Sequence, residues 1–193
     1  RFFTSHGNCL IIGVDELPEA RLTAKATNLN SLVQLEKDEE IVACFDEVKD
    51  DTLVFFTALG NAKRTEGKEF DLRTKKTAAI ALKDDDRVIA VEKQDETAGT
   101  VIMVSKGGMS IRFATDTVPV MGRGAGGVKC MKLDEGDRVI FAAQIADEGE
   151  ILTISDRGYA KRSLVFDYEI QGRNGKGLKT FDFKKNGSNG TAI

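Results

Sequence analysis

Apolar and polar residues follow one another along this chain in a unit that occurs four times. Each unit starts with a run of apolar and β-branched residues that ends at a glycine, and a second short run leaves that glycine. Short runs of this kind between glycine and acidic turns are typical of β-strands. The chain is therefore predicted to be all-β, with almost no helix. The four segments are RFFTSHGN from Arg1, LVFFTALGNAKR from Leu53, VIMVSKGGMSIR from Val101 and ILTISDRGYAKR from Ile151.

The spacing of these segments is nearly constant. Their glycines stand 53, 48 and 50 residues apart, at Gly7, Gly60, Gly108 and Gly158. Four residues further on, the successive segments carry Ile11, Arg64, Arg112 and Arg162. A second block recurs in the same order, as LEKDEEIV, LKDDDRVI and LDEGDRVI from Leu35, Leu82 and Leu133. Two blocks in a fixed order indicate an internal repeat rather than a chance alignment.

Each repeat has the length and turn pattern of a four-stranded propeller blade. We expect repeat units at about 1–50, 51–99, 100–149 and 150–193, within one domain that covers 1–193 and belongs to a larger protein. The hairpin at the glycine supplies two strands, a longer basic loop leads to a third, and an acidic turn leads to a fourth. Because unpaired strand edges promote aggregation, we expect neighbouring blades to close their edges by exchanging strands.

Composition predicts a globular, cytoplasmic protein. Of the 193 residues, 41% are hydrophobic and 31% are charged. No apolar run approaches the roughly 18 residues that a membrane span requires. Cys9, Cys44 and Cys130 are scattered and form no C-x-x-C pair, which argues against a disulfide or metal framework and suits a reducing compartment.

The net charge of −3 hides an uneven distribution. From the first repeat to the fourth, the net charges are −5, −1, 0 and +3. Acids concentrate in the turns at 36–40, 84–86 and 134–137, whereas bases follow the shared glycine and fill the loop beyond it. If each blade presents these regions at one edge, the blades together form a disc with a basic rim and an acidic face. Phosphates close to such a rim respond to the local charge more than to the net charge.

Two loops combine glycine with basic residues most densely. Met121–Lys129 has the sequence MGRGAGGVK, and Gln171–Lys179 has the sequence QGRNGKGLK. Glycine lets the backbone approach a partner closely, and arginine and lysine are the side chains that bind phosphate oxygens. A solvated glycine turn is the ordinary interpretation of one such stretch. The occurrence of two favours a phosphate-binding function.

Catalytic interpretations have little support. His6 is the single histidine and lies beside a turn glycine, so we expect a solvent-facing turn residue rather than a catalytic base. Serine, cysteine or zinc catalysis that needs a histidine therefore has little support. Gly122–Gly127 satisfies G-x-G-x-x-G, but a strand rather than a helix is predicted after it. No G-x-x-x-x-G-K-[ST] motif is present, so we expect no ATP site and no cofactor. The carboxylates of Asp84–Asp86 could attract Mg²⁺, although an exposed acidic turn is the commoner arrangement.

Taken together, the motifs resemble a known family, the C-terminal domain of the A subunit of bacterial type IIA topoisomerases. The resemblance extends over the whole chain and rests on DELPEA from Asp15, LVQLEKDEEIVA from Leu32, VPVMGRGAGGVK from Val118 and ILTISDRGYAKR from Ile151. It implies a β-pinwheel, a propeller-like disc of five or six blades whose basic rim bends or wraps duplex DNA. It also implies as partners a B-type ATPase subunit together with the rest of the A subunit, with the nicking tyrosine in another domain.

The subtype stays open between DNA gyrase and topoisomerase IV. Gyrase carries a heptapeptide, QRRGGKG, near the start of this domain, and no such box lies in Arg1–Asp50. Gln171–Gly177 matches it at five of seven positions, but in the fourth repeat. This segment is either a degenerate box or the ordinary loop of its blade.

The predicted DNA contacts are the bases after the shared glycine and in the loops beyond it. A protein-interaction platform without DNA binding is the alternative function. One basic residue at a fixed place in each of three repeats favours DNA, because phosphates recur regularly along a bent duplex. The residues are Lys63, Arg64, Arg73, Lys75, Lys76, Arg112, Arg123, Lys129, Lys161, Arg162, Arg173, Lys176 and Lys179.

Overall fold

The structure is a computed structural model that describes residues 1–83, 85–185 and 187–193. Within these residues the chain forms fourteen β-strands and five 3-10 turns, which confirms the all-β prediction. The 3-10 turns are Val14–Glu16, Leu29–Ser31, Gly67–Phe70, Thr115–Thr117 and Val165–Asp167. The strands are β1 (Phe2–Thr4), β2 (Asn8–Leu10), β3 (Ile41–Cys44), β4 (Thr52–Thr57), β5 (Asn61–Glu66), β6 (Lys76–Ala78), β7 (Val88–Lys93), β8 (Thr100–Ser105), β9 (Met109–Ala114), β10 (Val128–Lys129), β11 (Val139–Ile145), β12 (Glu150–Ile154), β13 (Ala160–Leu164) and β14 (Leu178–Lys179).

The first three blades are four-stranded antiparallel sheets that exchange strands. Their strand orders are β3-β1-β2-β6, β10-β5-β4-β7 and β11-β8-β9-β14. In each sheet, one repeat supplies the hairpin and the strand after its acidic turn, whereas the next repeat supplies the strand after its basic loop. Strands β6, β10 and β14 are these donated strands, so the predicted strand exchange is confirmed.

The fourth blade differs from the expected four strands. Its sheet consists of β12 and β13, because β14 of the same repeat pairs with β9 of the third blade. An isolated bridge from Ser155 to Ala192 marks the place that β3, β7 and β11 take in the other blades. There the amide of Ile193 donates to the carbonyl of Ile154 at 3.1 Å. Among the described residues, no strand pairs with the free side of β13.

The apolar core lies between successive blades. Strand β7 contacts both β3 and β11, which places these strands, the ones that follow the acidic turns, on the inside and the donated strands on the outer edge. Alternate residues of a strand point to opposite sides of its sheet. Val54 and Phe56 of the second blade therefore pack against Val101 and Met103 of the third in one buried cluster.

The acidic turns fasten the glycine hairpins. Glu39, Asp86 and Asp137 take equivalent places and accept hydrogen bonds from the hairpin of their own blade. The Asp86 carboxylate, for example, accepts from the amide of Leu59 at 2.8 Å and from Asn61 Nδ2 at 3.2 Å. Asp86 is buried rather than exposed as expected, because these donors replace water around its oxygens.

The same turns do not make a uniformly acidic face. Arg87 donates to the carbonyl of Asp38 at 2.9 Å, and Arg138 forms an ion pair with Asp85. Basic side chains therefore lie between the acidic turns of successive blades, so the charge there is mixed. Asp84, the remaining member of the predicted acidic trio, lies outside the described residues.

Candidate nucleic-acid interface

The donated strands each place an exposed lysine on the outer edge of the disc. Lys76 lies in β6, Lys129 in β10 and Lys179 in β14, and all three are exposed. Lys129 and Lys179 occupy equivalent registers, opposite Asn61 and Met109 respectively. Strand exchange therefore repeats a cation at the outer edge from one blade to the next.

The arginines of the two glycine-rich loops lie across the gap between blades. Arg123 Nη1 donates to Thr77 Oγ1 of β6 at 2.8 Å. Arg173 Nη1 donates to the carbonyl of Lys129 in β10 at 3.2 Å. Each arginine therefore sits on the donated strand of the preceding blade, which joins the basic residues of successive blades. We call the following residues the outer basic row: Arg73, Lys75, Lys76, Arg123, Lys129, Arg173, Lys176 and Lys179.

Glycine is required where each loop enters its donated strand. Gly127 has φ +85°, and a Cβ there would come within 2.7 Å of the carbonyl oxygen of Ala62. Gly177 has φ +77°, and its Cβ would come within 2.0 Å of the carbonyl oxygen of Ser110. Any other residue would be strained at these positions and would push the donated strand away. The glycines thus set the positions of Lys129 and Lys179.

Several members of the row form ion pairs on the surface. Lys75 pairs with Glu16, Lys176 Nζ lies 2.6 Å from Asp134 Oδ1, and Lys179 Nζ lies 2.8 Å from Asp182 Oδ1. The hydrogen bond from Lys75 lowers the pKa of Glu16, and the one from Lys179 lowers the pKa of Asp182. Exposed pairs of this kind are weak, so a phosphate oxygen can replace the carboxylate.

Lys76 is held by two carboxylates. Its Nζ lies 3.1 Å from Glu36 Oε1 and 3.4 Å from Glu39 Oε2. His6, Glu36 and Glu39 bring three possible metal-ligand atoms within 4.8 Å of one another. The ammonium of Lys76 already supplies the positive charge there, so we interpret the cluster as an ion-pair network rather than a metal site.

The pKa of Glu39 reflects this network. Burial opposes ionisation of its carboxyl group. The amide of Glu36 and the side chains of Thr4 and Asn8 donate hydrogen bonds to it, and together with Lys76 they lower its pKa to about 2. His6 is half-buried rather than solvent-facing as expected, with its Nδ1 3.3 Å from Glu36 Oε2.

The basic residues of the fourth blade that are predicted to contact DNA make only weak contacts within the protein. Lys161 and Arg162 are both exposed. Arg162 Nε lies 3.0 Å from Glu150 Oε1, and Lys161 lines a shallow cavity together with Lys179. Arg73 of the row is also exposed, and among the described residues it forms no ion pair.

Lys63 does not belong to the surface, contrary to its predicted DNA contact. Its relative exposure is 0%. Its ammonium donates to the carbonyls of Ala79 at 2.7 Å, Gly122 at 3.1 Å and Arg123 at 2.9 Å. A phosphate cannot reach it while these segments remain in place.

Arg112 is likewise buried, with 5% exposure, so its predicted DNA contact does not fit the structure. Its Nε donates to Thr100 Oγ1 at 2.9 Å, and its Nη1 donates to the carbonyls of Val165 and Tyr168 at 3.4 Å. Its Nη2 pairs with Asp147. These carbonyls belong to the 3-10 turn of the next repeat and the residue after it, so Arg112 fastens the fourth repeat to the third blade.

Arg64 makes the same connection one blade earlier. Its Nε donates to the carbonyl of Val118 at 2.6 Å, and its Nη1 donates to Gln94 Oε1 at 3.2 Å. Its main-chain amide donates to the carbonyl of Pro119 at 3.1 Å. The arginine at a fixed place in the repeat therefore has a structural explanation, namely that it holds the repeat that follows.

Sequence reasoning missed Lys83. This exposed lysine lines a groove with Lys129 and with the backbone of Gly126 and Gly127. No motif marks it, and its one signal is its position shortly after donated strand β6.

None of the helices in the described residues is long and apolar enough to cross a membrane.

The chain resembles gyrase A subunits over nearly all of its length. A family model described as DNA gyrase C-terminal domain, β-propeller, matches residues 2–45, 51–95, 99–146 and 149–189. The DNA gyrase A subunit of Haloquadratum walsbyi is 35% identical over 199 residues, which cover 98% of this chain and 23% of that protein. Its counterpart in Escherichia coli is 37% identical over 182 residues, which cover 91% of this chain and 20% of that protein. The chain thus spans about a fifth of the length of these relatives.

Two solved structures share the fold. The C-terminal domain of a DNA topoisomerase IV superposes with a TM-score of 0.91 at 27% identity, over 100% of this chain and 60% of that one. A DNA gyrase A C-terminal domain superposes with a TM-score of 0.79 at 26% identity, over 100% of this chain and 62% of that one. The sequence comparisons name gyrase, whereas the higher TM-score belongs to the topoisomerase IV domain.

Proposed function

Because the chain belongs to the family of DNA gyrase C-terminal β-propeller domains, we propose that it binds duplex DNA without sequence selectivity and bends it along the outer basic row. In this role it presents DNA segments to the catalytic core of a type II topoisomerase. The domain itself carries out no catalysis and needs no cofactor. Its proposed partners are duplex DNA, a B-type ATPase subunit, plus the rest of the A subunit.

The observation that carries this proposal is the placement of cations by strand exchange. Lys76, Lys129 and Lys179 lie on the donated strands of three successive blades, and Arg123 and Arg173 lie between them. Lysine and arginine directed at phosphates position DNA but carry no information about its bases. A row of this kind supports binding that depends on salt and not on sequence.

The net charge of −3 is compatible with this function. Charges further away than about 10 Å are largely screened at 0.1 M salt. The phosphates along the outer edge therefore respond to the row itself. Its ion pairs with exposed acids such as Asp134 and Asp182 exchange for phosphate contacts at modest cost.

Bending requires several blades to act together. Bending a site of 20–30 base pairs by 40–90° costs on the order of 1–6 kcal/mol, which a few local contacts do not offset. Contacts spread along the arc can offset it. A duplex that reaches one blade does not bend, and it gains no contacts from the next blade.

The test is a competition between short and long linear duplexes. Wild type is compared with the double variant Arg173→Ala and Lys176→Ala. We expect the variant to lose more affinity for the 20–30 base-pair duplex than for one that spans a single blade. An equal loss on both lengths would reduce these residues to a local patch and remove the bending role.

The matched control removes two exposed lysines elsewhere. Lys49 and Lys68 are exposed, pair with Asp71 and Glu66, and are not members of the outer basic row. The double variant Lys49→Ala and Lys68→Ala changes the net charge by the same amount. It should leave the preference for long duplexes unchanged.

One observation favours a protein-interaction platform as a second candidate function. The fourth repeat exposes large apolar side chains, among them Leu152 at 64% and Phe166 at 84%. A platform without DNA binding would retain no duplex on a filter at low salt. The same binding series over salt concentration therefore decides between the two functions.

A further inference from the structure

The side chain of Lys63 ends inside the protein between two segments of different repeats. It leaves strand β5 and reaches the carbonyl of Ala79, just after donated strand β6. It also reaches the carbonyls of Gly122 and Arg123, in the glycine-rich loop of the third repeat. Three acceptors match the three donors of an ammonium group.

The surroundings of this ammonium are unusual for a lysine. Its Nζ lies 5.3 Å from the centre of the Phe55 ring, which adds a cation–π contact. Glu69 and Arg123 are the charged groups that act on it. Burial lowers its pKa to about 8, Glu69 opposes this shift, and Arg123 adds to it. A buried lysine has a cost, so three carbonyl contacts are needed to hold it.

The glycine-rich segment whose carbonyls accept hydrogen bonds from Lys63 makes few other contacts that fix its conformation. Met121–Gly127 contains four glycines and buries none of its residues fully. Apart from Lys63, it is held where Met121 donates to the carbonyl of Arg64 at 2.7 Å and where Ala125 accepts from the amide of Ala81 at 3.3 Å. The side chain of Arg123 adds its hydrogen bond to Thr77 at 2.8 Å. The Arg123 amide also donates to Glu69 Oε2 at 3.3 Å.

The second glycine-rich loop is held differently. Ile111 occupies the place of Lys63 in the third blade, and its Cδ1 lies 3.4 Å from the position of a Cβ on Gly175. There the main chain makes the contacts, since Asn174 donates to Cys130 at 2.6 Å and Lys132 donates to Gly175 at 2.8 Å. The second loop therefore needs no buried cation.

We propose that Lys63 is a positioning residue, which holds the loop Met121–Gly127 from inside the blade and thereby places Arg123 on the outer basic row. The inference rests on the proposed function, because it assigns Lys63 a role in DNA binding without contact to DNA. Loss of the ammonium releases the carbonyl of Arg123 and leaves its side chain attached at Thr77. The loop then samples other shapes, and Arg123 presents a phosphate contact for a smaller fraction of the time.

The test compares Lys63→Met with Lys161→Met. Lys161 stands in the same sequence context, three residues after its hairpin glycine, but is exposed. Hydrogen exchange is followed in peptides covering 121–127 and 171–177. We expect Lys63→Met to speed exchange in 121–127 by at least about fivefold and to leave 171–177 unchanged. Lys161→Met should change neither peptide.

DNA binding supplies the second measurement, made with a 20–30 base-pair duplex. We expect Lys63→Met and Arg123→Ala each to weaken binding by about three- to tenfold, and the two together to weaken it no more than Arg123→Ala alone. With Arg173→Ala, the effect of Lys63→Met should multiply, because the second loop is held independently.

Each outcome decides a separate point. Unchanged exchange in 121–127 overturns the positioning role, and so does faster exchange with unchanged DNA affinity. A wild-type chain that binds no duplex at low salt overturns the proposed function, whereas the exchange measurement still reports whether Lys63 holds the loop. If Lys63→Met does not fold, Lys63→Ile replaces it, since the third blade tolerates that side chain at Ile111.

Discussion

Two blades carry the same five-residue pattern, glycine, any residue, alanine, lysine and arginine, with opposite outcomes. In the second blade, Gly60–Arg64 places Lys63 at 0% exposure and directs Arg64 into the next repeat. In the fourth blade, Gly158–Arg162 leaves both basic side chains exposed. The local structure is the same hairpin in both cases. The difference is that the third repeat covers the second blade, whereas no described residues cover the fourth blade in that way.

This contrast teaches that a repeated basic residue is not by itself a surface residue. In a strand-exchanged disc, one side of each sheet is covered by the repeat that follows. Ile102 is 0% exposed in the third blade, whereas the equivalent Leu152 is 64% exposed in the fourth. Burial of a lysine or arginine thus follows from its neighbour and not from its own sequence.

Truncating the two lysines should give the largest difference between these blades. Lys63→Ala removes the Lys63 hydrogen bonds to the carbonyls of Ala79 and Arg123, for which Lys63 is the donor, and it opens a cavity. We therefore expect it to lower the free energy of unfolding by roughly 2–4 kcal/mol. Lys161→Ala should stay within about 0.5 kcal/mol of wild type, because its side chain is exposed. Urea unfolding of both variants measures the difference, and equal losses would contradict the structural role of Lys63.

The arginines should show the next largest difference. Arg112→Met removes hydrogen bonds from a charged donor to the carbonyls of Val165 and Tyr168, at a cost of roughly 1.5–3 kcal/mol. Arg162→Met removes an exposed ion pair with Glu150, which is worth about 0–1 kcal/mol. Thermal unfolding of both variants gives the comparison. An Arg162 loss as large as that of Arg112 would show that the two arginines have equivalent roles.

The pH dependence of stability should separate Lys63 from the other lysines. Because its pKa is about 8 in the folded protein and 10.5 is its ordinary value, the unfolded chain binds more protons between these pH values. Wild type therefore gains stability relative to Lys63→Met as the pH rises from 8 to 10, on the order of 1–2 kcal/mol. Well below pH 8, where Lys63 is protonated in both the folded and the unfolded state, the difference should be constant. The measurement is urea unfolding of both proteins over this range, and a decline with rising pH would contradict it.

The smallest expected effect concerns the salt dependence of DNA binding. If the exposed pair Lys161 and Arg162 contacts phosphates, replacing both with alanine reduces the slope of log affinity against log salt by up to about 1.8, or about 0.9 per contact. Arg64→Met should leave the slope unchanged, since Arg64 is bound to protein carbonyls. Filter binding over a salt series measures both. If Arg64→Met changed the slope as much as the double variant does, Arg64 would not differ from Lys161 and Arg162 in its availability to phosphates.

The fold could be predicted from the sequence because each strand and hairpin of the repeat depends on residues that are close together in the chain. Apolar β-branched runs specify strands, and Gly60 and Gly108 adopt φ of +79° and +83° in the hairpins predicted at these positions. The family resemblance and the exchange of strands also followed from the motifs. For the proposed site, the loops Met121–Lys129 and Gln171–Lys179 place Arg123 and Arg173 on the outer edge, and their DNA contacts stay predictions.

The sequence by itself determined the strands, the hairpins, the repeat period and the basic character of the donated strands, since each depends on residues close together in the chain. Tertiary structure alone decided which cations remain available. It buried Lys63 and Arg112, turned Arg64 into a connector, and set basic side chains between acidic turns. The physical reason is that solvation of a charge depends on what covers it, and here the cover comes from the next repeat, about 50 residues away in sequence.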